Sequence, residues 1–191
     1  ADKTGEDLTK EFSPKLRQLF LLLLLYSGGN GNHKGISTEQ LTALLWPDAS
    51  SESAKNSRGV AFNKLREVIS TIGNIQIVHQ HHAWYVEIGT DVQCDYLLFV
   101  KRKKELNSHS SKKKNETFAA LVELLSKGRL LPELSYEWLD PIKTALTNEV
   151  ASLLLKYLQQ TDSNKQSELA VKTAETLFLW DSLNEESLRN I

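Results

Sequence analysis

The chain has 191 residues, of which 40% are hydrophobic and 25% charged, an ordinary globular composition that excludes a disordered chain and allows one large domain or two small ones. Its 23 Lys and Arg against 24 Asp and Glu leave a net charge of -1, so no global positive field attracts nucleic acid and any such function must rest on a local patch. Cys94 is the single cysteine, which excludes an internal disulfide and a Cys-based zinc site and fits a reducing compartment, and the longest apolar run, 19–26, is far short of the roughly 20 residues of a membrane span.

The chain begins at Ala1 and contains no Met, as expected of a mature form or an excised piece. Residues 2–7, DKTGED, carry the signature of a hairpin turn, with Gly5 beside acidic residues that tolerate turn geometry. Ser13 offers an N-cap and Pro14 a first helical residue, predicting a helix over 14–27 ended by Gly28 and Gly29. Leu16, Leu19, Phe20, Leu23 and Leu24 make its core stripe. The run of leucines at 21–25 adds apolar surface on the other side, so the helix must be covered nearly all round, as a central core helix or by another domain. Residues 28–35, GGNGNHKG, read as a loop. Its glycines lack the preceding strand, the Lys-Ser/Thr pair and the spacing of a phosphate cradle.

Ser37 or Thr38 caps the next helix, with Gln40 or Glu39 in its first turn. Leu41, Leu44, Leu45 and Trp46 form its apolar side before Pro47 stops it. Residues 47–52 make a tight turn into the most informative stretch, 53–70, SAKNSRGVAFNKLREVIS. On a helix, Ala54, Ala61, Phe62, Leu65, Val68 and Ile69 fall within about 120° and form a core stripe. Round from that stripe come Lys55, Arg66, Gly59, Asn63, Asn56 and Lys64, with only Glu67 and Val60 interrupting. Lys and Arg supply charge for phosphates and guanine edges, and Asn can pair bidentately with adenine. A solvated face that happens to carry Lys and Arg is the plainer reading of this helix taken alone. Its surroundings favour the other one, because the capped helix, tight turn and second helix make a helix-turn-helix layout.

After Gly73 the period changes from helical to alternating. Ile75, Ile77 and His79 lead to a polar tip, QHHA, and Trp84, Val86 and Ile88 alternate with Tyr85 and Glu87, predicting a β-hairpin in the place of a wing. His79, His81 and His82 lie at or near the tip. With no fourth ligand or Cys nearby a metal site is set aside, leaving contacts to phosphate or minor groove, or plain exposure. Cys94, Asp95, Tyr96, Leu98 and Phe99 lead into the basic run 101–104 and the polar stretch 107–115, where the domain junction is expected: a first domain over 1–103, a linker over 104–115, and a helical domain over 116–191.

In the helical domain Phe118, Leu121, Val122, Leu124 and Leu125 mark one helix closed by Gly128. Residues 138–147, with Pro141 near the start, run on into 149–160, and 166–180 follows. Residues 183–190 open a hairpin that lacks its second helix, as if the domain were truncated at its C-terminus. Such pairing suggests a helical-hairpin array. Asp140, Glu149, Glu185 and Glu186 are scattered over helical surface, and neither a nucleophile elbow nor a nucleotide loop is present, so no enzyme is expected.

In this order of elements, residues 13–88 resemble the OmpR-type winged-helix DNA-binding domain, on SPKLRQLFLLLLL, STEQLTALLWPD, VAFNKLREVI and AWYVEI. Residues 116–191 resemble the bacterial transcriptional activator domain that follows it in the SARP family of regulators, on GRLLPELSYEWLDPIK and LAVKTAETLFLWDSLNEESL. The resemblance implies an α+β winged helix-turn-helix domain followed by an all-α tetratricopeptide-like helical-hairpin domain. It implies a sequence-specific, DNA-binding transcription regulator of the activating kind, cytoplasmic or the cytoplasmic output module of a larger membrane-anchored protein. The implied partners are double-stranded DNA, RNA polymerase, a second copy in a homodimer and an upstream sensor domain; no cofactor and no metal are implied. The family's recognition positions fall on Asn56, Gly59, Val60, Lys64 and Arg66, with Lys55, Arg58 and Asn63 adjacent. Its wing falls on His79, His81 and His82, where the family usually has an Arg and a Gly-rich tip, so no strong minor-groove Arg contact is expected; because Gly59 and Val60 take base-reading positions, hydrogen-bond readout is expected mostly from Lys64 and Asn63. The competing expectation is a protein-interaction adaptor whose winged helix no longer binds DNA.

Overall fold

The structure, a computed structural model, describes residues 7–28, 35–108, 111–160 and 168–181, and the chain divides after Leu98 into two units. Among the described residues it is mostly helical, with one small three-stranded antiparallel sheet in the first unit. Most of the hairpin turn expected at 2–7, most of the loop at 28–35 and the last helix at 183–190 lie outside the described residues.

A 3₁₀ turn, Thr9–Glu11, precedes α1 (Pro14–Ser27). Ser13 Oγ accepts the Leu16 amide at 3.4 Å and Pro14 occupies the first turn, so the helix starts where its residue types require. Leu19, Leu22 and Leu23 are wholly buried, and Leu16, Leu21 and Leu25 nearly so. Leu24, expected in the core stripe, is half-exposed. It follows Phe20 and Arg17 along one side of the helix, and both of those are also only partly covered. α1 is the hub of the unit, touching β1 (Ile36–Ser37), α2 (Thr38–Leu45), α3 (Ser51–Ile72) and β3 (Ala83–Ile88).

Of the two candidate caps for α2 (Thr38–Leu45), Ser37 serves. Its Oγ accepts the Gln40 amide at 3.1 Å while Gln40 Oε1 accepts the Ser37 amide at 3.5 Å, a capping box. Leu41 and Leu45 are buried, whereas Leu44 is exposed. Lys15 Nζ donates to the Leu45 carbonyl at 2.6 Å and lies over the Trp46 ring, placing a cation at the negative end of the helix. Residues 46–50 turn the chain, and Ser50 Oγ accepts the Ser53 amide at 3.3 Å. That cap starts α3 at Ser51, and it runs to Ile72, longer at both ends than 53–70. Ala54, Ala61, Phe62, Leu65 and Ile69 are its buried stripe; Val68 is half-buried.

The sheet has order β1-β3-β2, with β1 at Ile36–Ser37, β2 at Ile75–Gln80 and β3 at Ala83–Ile88. β1 was not anticipated, because two residues carry no alternation to read. Its entry requires Gly35, whose φ is +101° and whose Cβ would lie 2.8 Å from the Trp84 carbonyl oxygen. The hairpin pairs Ile75 with Ile88, Ile77 with Val86, and His79 with Trp84. Gln80 and Ala83, expected in the tip, are a strand pair, so the turn is His81 and His82 alone. Both have positive φ, 51° and 62°, the geometry of a type I′ turn, and His enters that region more readily than most residues. The buried Val86 amide donates to a side chain, Ser27 Oγ, 2.8 Å away at the end of α1.

The second unit begins within α4 (Asp95–Ser108), after Leu98. The linker expected at 104–115 is mostly helix: 104–108 continue α4, and α5 (Ser111–Leu125) starts ahead of Glu116. Lys, Glu and Leu are good helix formers, so polar composition alone did not separate a solvated helix from a linker. Phe99 and Val100 of α4 are buried, and Lys103 pairs with Glu149. Phe118, Leu121, Val122, Leu124 and Leu125 of α5 are buried as expected. The pieces expected at 138–147 and 149–160 are a single helix, α6 (Asp140–Gln160), with Trp138 left in the turn before it. α7 (Glu168–Trp180) packs on α5 and α6. Trp180 Nε1 donates to the Leu125 carbonyl at 2.9 Å, and Phe118 stacks on Tyr157. No helix among the described residues is long and apolar enough to cross a membrane.

Candidate nucleic-acid interface

One face of α3 is buried and the opposite face is bare. Lys55, Asn56, Gly59, Val60, Asn63, Lys64 and Arg66 are all exposed. Asn56, Gly59, Asn63 and Arg66 follow one another at steps of three or four residues, so they form one row about 15 Å long. Lys55 flanks the row on one side, and Val60 and Lys64 on the other. Four cations against Glu52 and Glu67 give α3 a net charge of +2, in a chain whose total is -1. Gly59 has open space where its Cβ would be, with nothing within 4 Å. Packing within this unit therefore does not demand a glycine there, and it costs helix stability.

The arginines differ from the lysines. Arg58 is half-buried and donates from Nη1 to Thr42 Oγ1 of α2 at 3.0 Å. Arg66 donates from Nη1 to Asn63 Oδ1 at 3.4 Å, with its guanidinium 5.7 Å from the Phe62 ring centre. Thus the structure brings Arg66, Asn63 and Phe62 together and ties Arg58 back to α2. The side chains of Lys55, Asn56 and Lys64 have no hydrogen-bond partner among the described residues.

The three histidines are exposed but not equivalent. His81 and His82 make the turn, whereas His79 lies in β2 with its ring 4.1 Å from that of Trp84. Trp84 is the residue whose role the sequence reading missed. Its other contact is Phe62 of α3, ring centres 4.3 Å apart, and its Nε1 donates to Thr38 Oγ1 of α2 at 2.8 Å. One side chain thereby fixes the hairpin against both helices. The available signal was a large aromatic in register with Val86 and Ile88, but alternation identifies a face and not a partner. Nearby, Glu39 is exposed and its carboxyl is held below the usual glutamate range, first by its own amide at the start of α2 and then by Ser37; Arg58 and His82 add smaller attractions.

Chemically, the face offers ammonium groups for phosphate oxygens, carboxamides that donate and accept together, and a methyl-bearing side chain. A B-form major groove, about 12 Å wide, presents complementary groups and admits a helix. No family model, curated protein or solved structure matches the chain.

Proposed function

We propose that the chain is a sequence-specific, DNA-binding transcription regulator of the activating kind. In this reading the first unit acts as a winged helix-turn-helix: α2 and α3 are the helix pair, α3 enters the major groove, and the β2–β3 turn lies along the neighbouring backbone. The second unit, read as tetratricopeptide-like helical hairpins, serves dimerisation, polymerase contact or coupling to a sensor domain. The protein works on the cytoplasmic side and performs no catalysis.

The observation that carries the reading is the opposition of faces on α3. Ala54, Ala61, Phe62, Leu65 and Ile69 are buried, and Lys55, Asn56, Gly59, Val60, Asn63, Lys64 and Arg66 are exposed on the other side. Charge, carboxamides and an unfilled glycine on one exposed face match what a groove requires. The adaptor reading has one observation in its favour: Arg58 and Arg66 are engaged within the protein, which reduces the charge available to phosphates.

Fluorescence-anisotropy titration of labelled duplex DNA across salt separates the two. Groove binding through a few phosphate contacts predicts log K falling linearly with log salt, with a slope of about -3 for three to four contacts. An adaptor gives weak binding with little salt dependence.

A further inference from the structure

We infer that α3 reads adenine–thymine pairs at the centre of its site. The inference rests on the DNA-binding reading above and adds the base class that the face recognises. Guanine is most often read by an arginine fork on its O6 and N7; Arg58 is half-buried against α2, and Arg66 stands at the end of the exposed row rather than at its centre. Arg58 donates to Thr42 Oγ1 at 3.0 Å, and Arg66 donates to Asn63 Oδ1 at 3.4 Å beside the Phe62 ring.

What remains at the middle of the exposed face is a carboxamide, a valine and a second carboxamide. Asn56, Val60 and Asn63 are spaced by four and three residues, so they are neighbours on the helix surface. A carboxamide matches the paired donor and acceptor on the major-groove edge of adenine, N6 and N7. Arg66 orients that of Asn63 by donating to its Oδ1, leaving a second lone pair on that oxygen and both N–H groups of Nδ2 for a base. Val60 is 56% exposed, the largest exposure among the large hydrophobic residues described. An apolar side chain between two carboxamides suits the thymine C5-methyl, the one apolar group that the four bases present in this groove. Gly59, beside all three, has no side chain and nothing within 4 Å of where one would begin, so base edges can approach the backbone. Lys55 and Lys64 stand on opposite margins of this row, placed for phosphates rather than for its centre.

The test is selection from a random-sequence duplex pool by the 191-residue chain, followed by anisotropy on the enriched duplex. Expected are A·T pairs at the centre of the enriched site and a loss of roughly 10-fold or more on changing one of them to G·C. Replacing the contacted thymine by uracil removes only the C5-methyl. It weakens the unmodified chain several-fold and Val60→Ala by less, while Asn63→Ala loses the A·T preference. These positions are exposed, and circular dichroism checks that each variant is folded. A G·C-centred site, or no effect of uracil on the unmodified chain, overturns the base assignment and leaves DNA binding standing. No salt-sensitive binding to any duplex in the pool overturns the DNA-binding reading and this inference with it.

Discussion

At the scale of single residues, Gly59 is the most informative. A glycine inside a 22-residue helix is less favourable than alanine by about 0.8–1.0 kcal/mol, and nothing in its surroundings offsets that. Gly59→Ala is therefore expected to raise the unfolding free energy by about 0.5–1 kcal/mol in urea denaturation. With α3 in a major groove as proposed, the added methyl group stands between backbone and base, so the same variant is expected to lose duplex affinity. Higher stability with unchanged affinity would mean that Gly59 does not meet the DNA. The exposed face of α3 was legible in the sequence because helical periodicity sorts residues by direction. The engagement of Arg58 with Thr42, across 16 positions, was not, since periodicity within one helix carries no information about its neighbour. Arg58 is accordingly better regarded as joining α2 to α3 than as a groove contact.

Among the elements, the ends of helices and the edges of strands hold the arrangement together. The capping box on α2 satisfies two amides reciprocally, and Ser37→Ala is expected to cost about 1 kcal/mol. Glu39 in the same turn adds a pH dependence. Its folded-state pKa is depressed, so its contribution is fully present above the unfolded value and is lost as pH falls through the folded one. Thermal unfolding followed on acidification should show a shallower decline for Glu39→Gln than for the unmodified chain. Ser27 makes a different kind of junction. Its buried hydroxyl accepts the Val86 amide at 2.8 Å, and Ser27→Ala leaves that amide unsatisfied, costing about 1–3 kcal/mol in urea denaturation. The caps at Ser13 and Ser37 could be read from the sequence because the N-cap preference is local. β1 and the Ser27–Val86 bond could not, since they depend on how the chain returns to α1 after 59 positions.

For the whole molecule, charge and organisation point in different directions. A net charge of -1 provides no long-range attraction to DNA, so the +2 of α3 has to act at short range, and binding should be correspondingly salt-sensitive. The division into two units follows Leu98, whereas the sequence pointed to the polar stretch 104–115. Low hydrophobicity marks a solvated surface, and a solvated helix satisfies it as well as a linker does. Contact between the bare face of α3 and a major groove, with lysines on the backbone and carboxamides on the bases, is what we propose. It is tested most directly by comparing Lys55→Ala and Asn63→Ala with the unmodified chain in anisotropy titrations of a selected duplex and its single-pair variants, each across salt. Lys55→Ala should weaken binding to every duplex alike and reduce the salt slope by about 1. Asn63→Ala should keep the slope, cost about 1–3 kcal/mol on the selected duplex, and lose discrimination at one base pair. Binding unchanged in both variants would contradict the assignment of α3 to the groove.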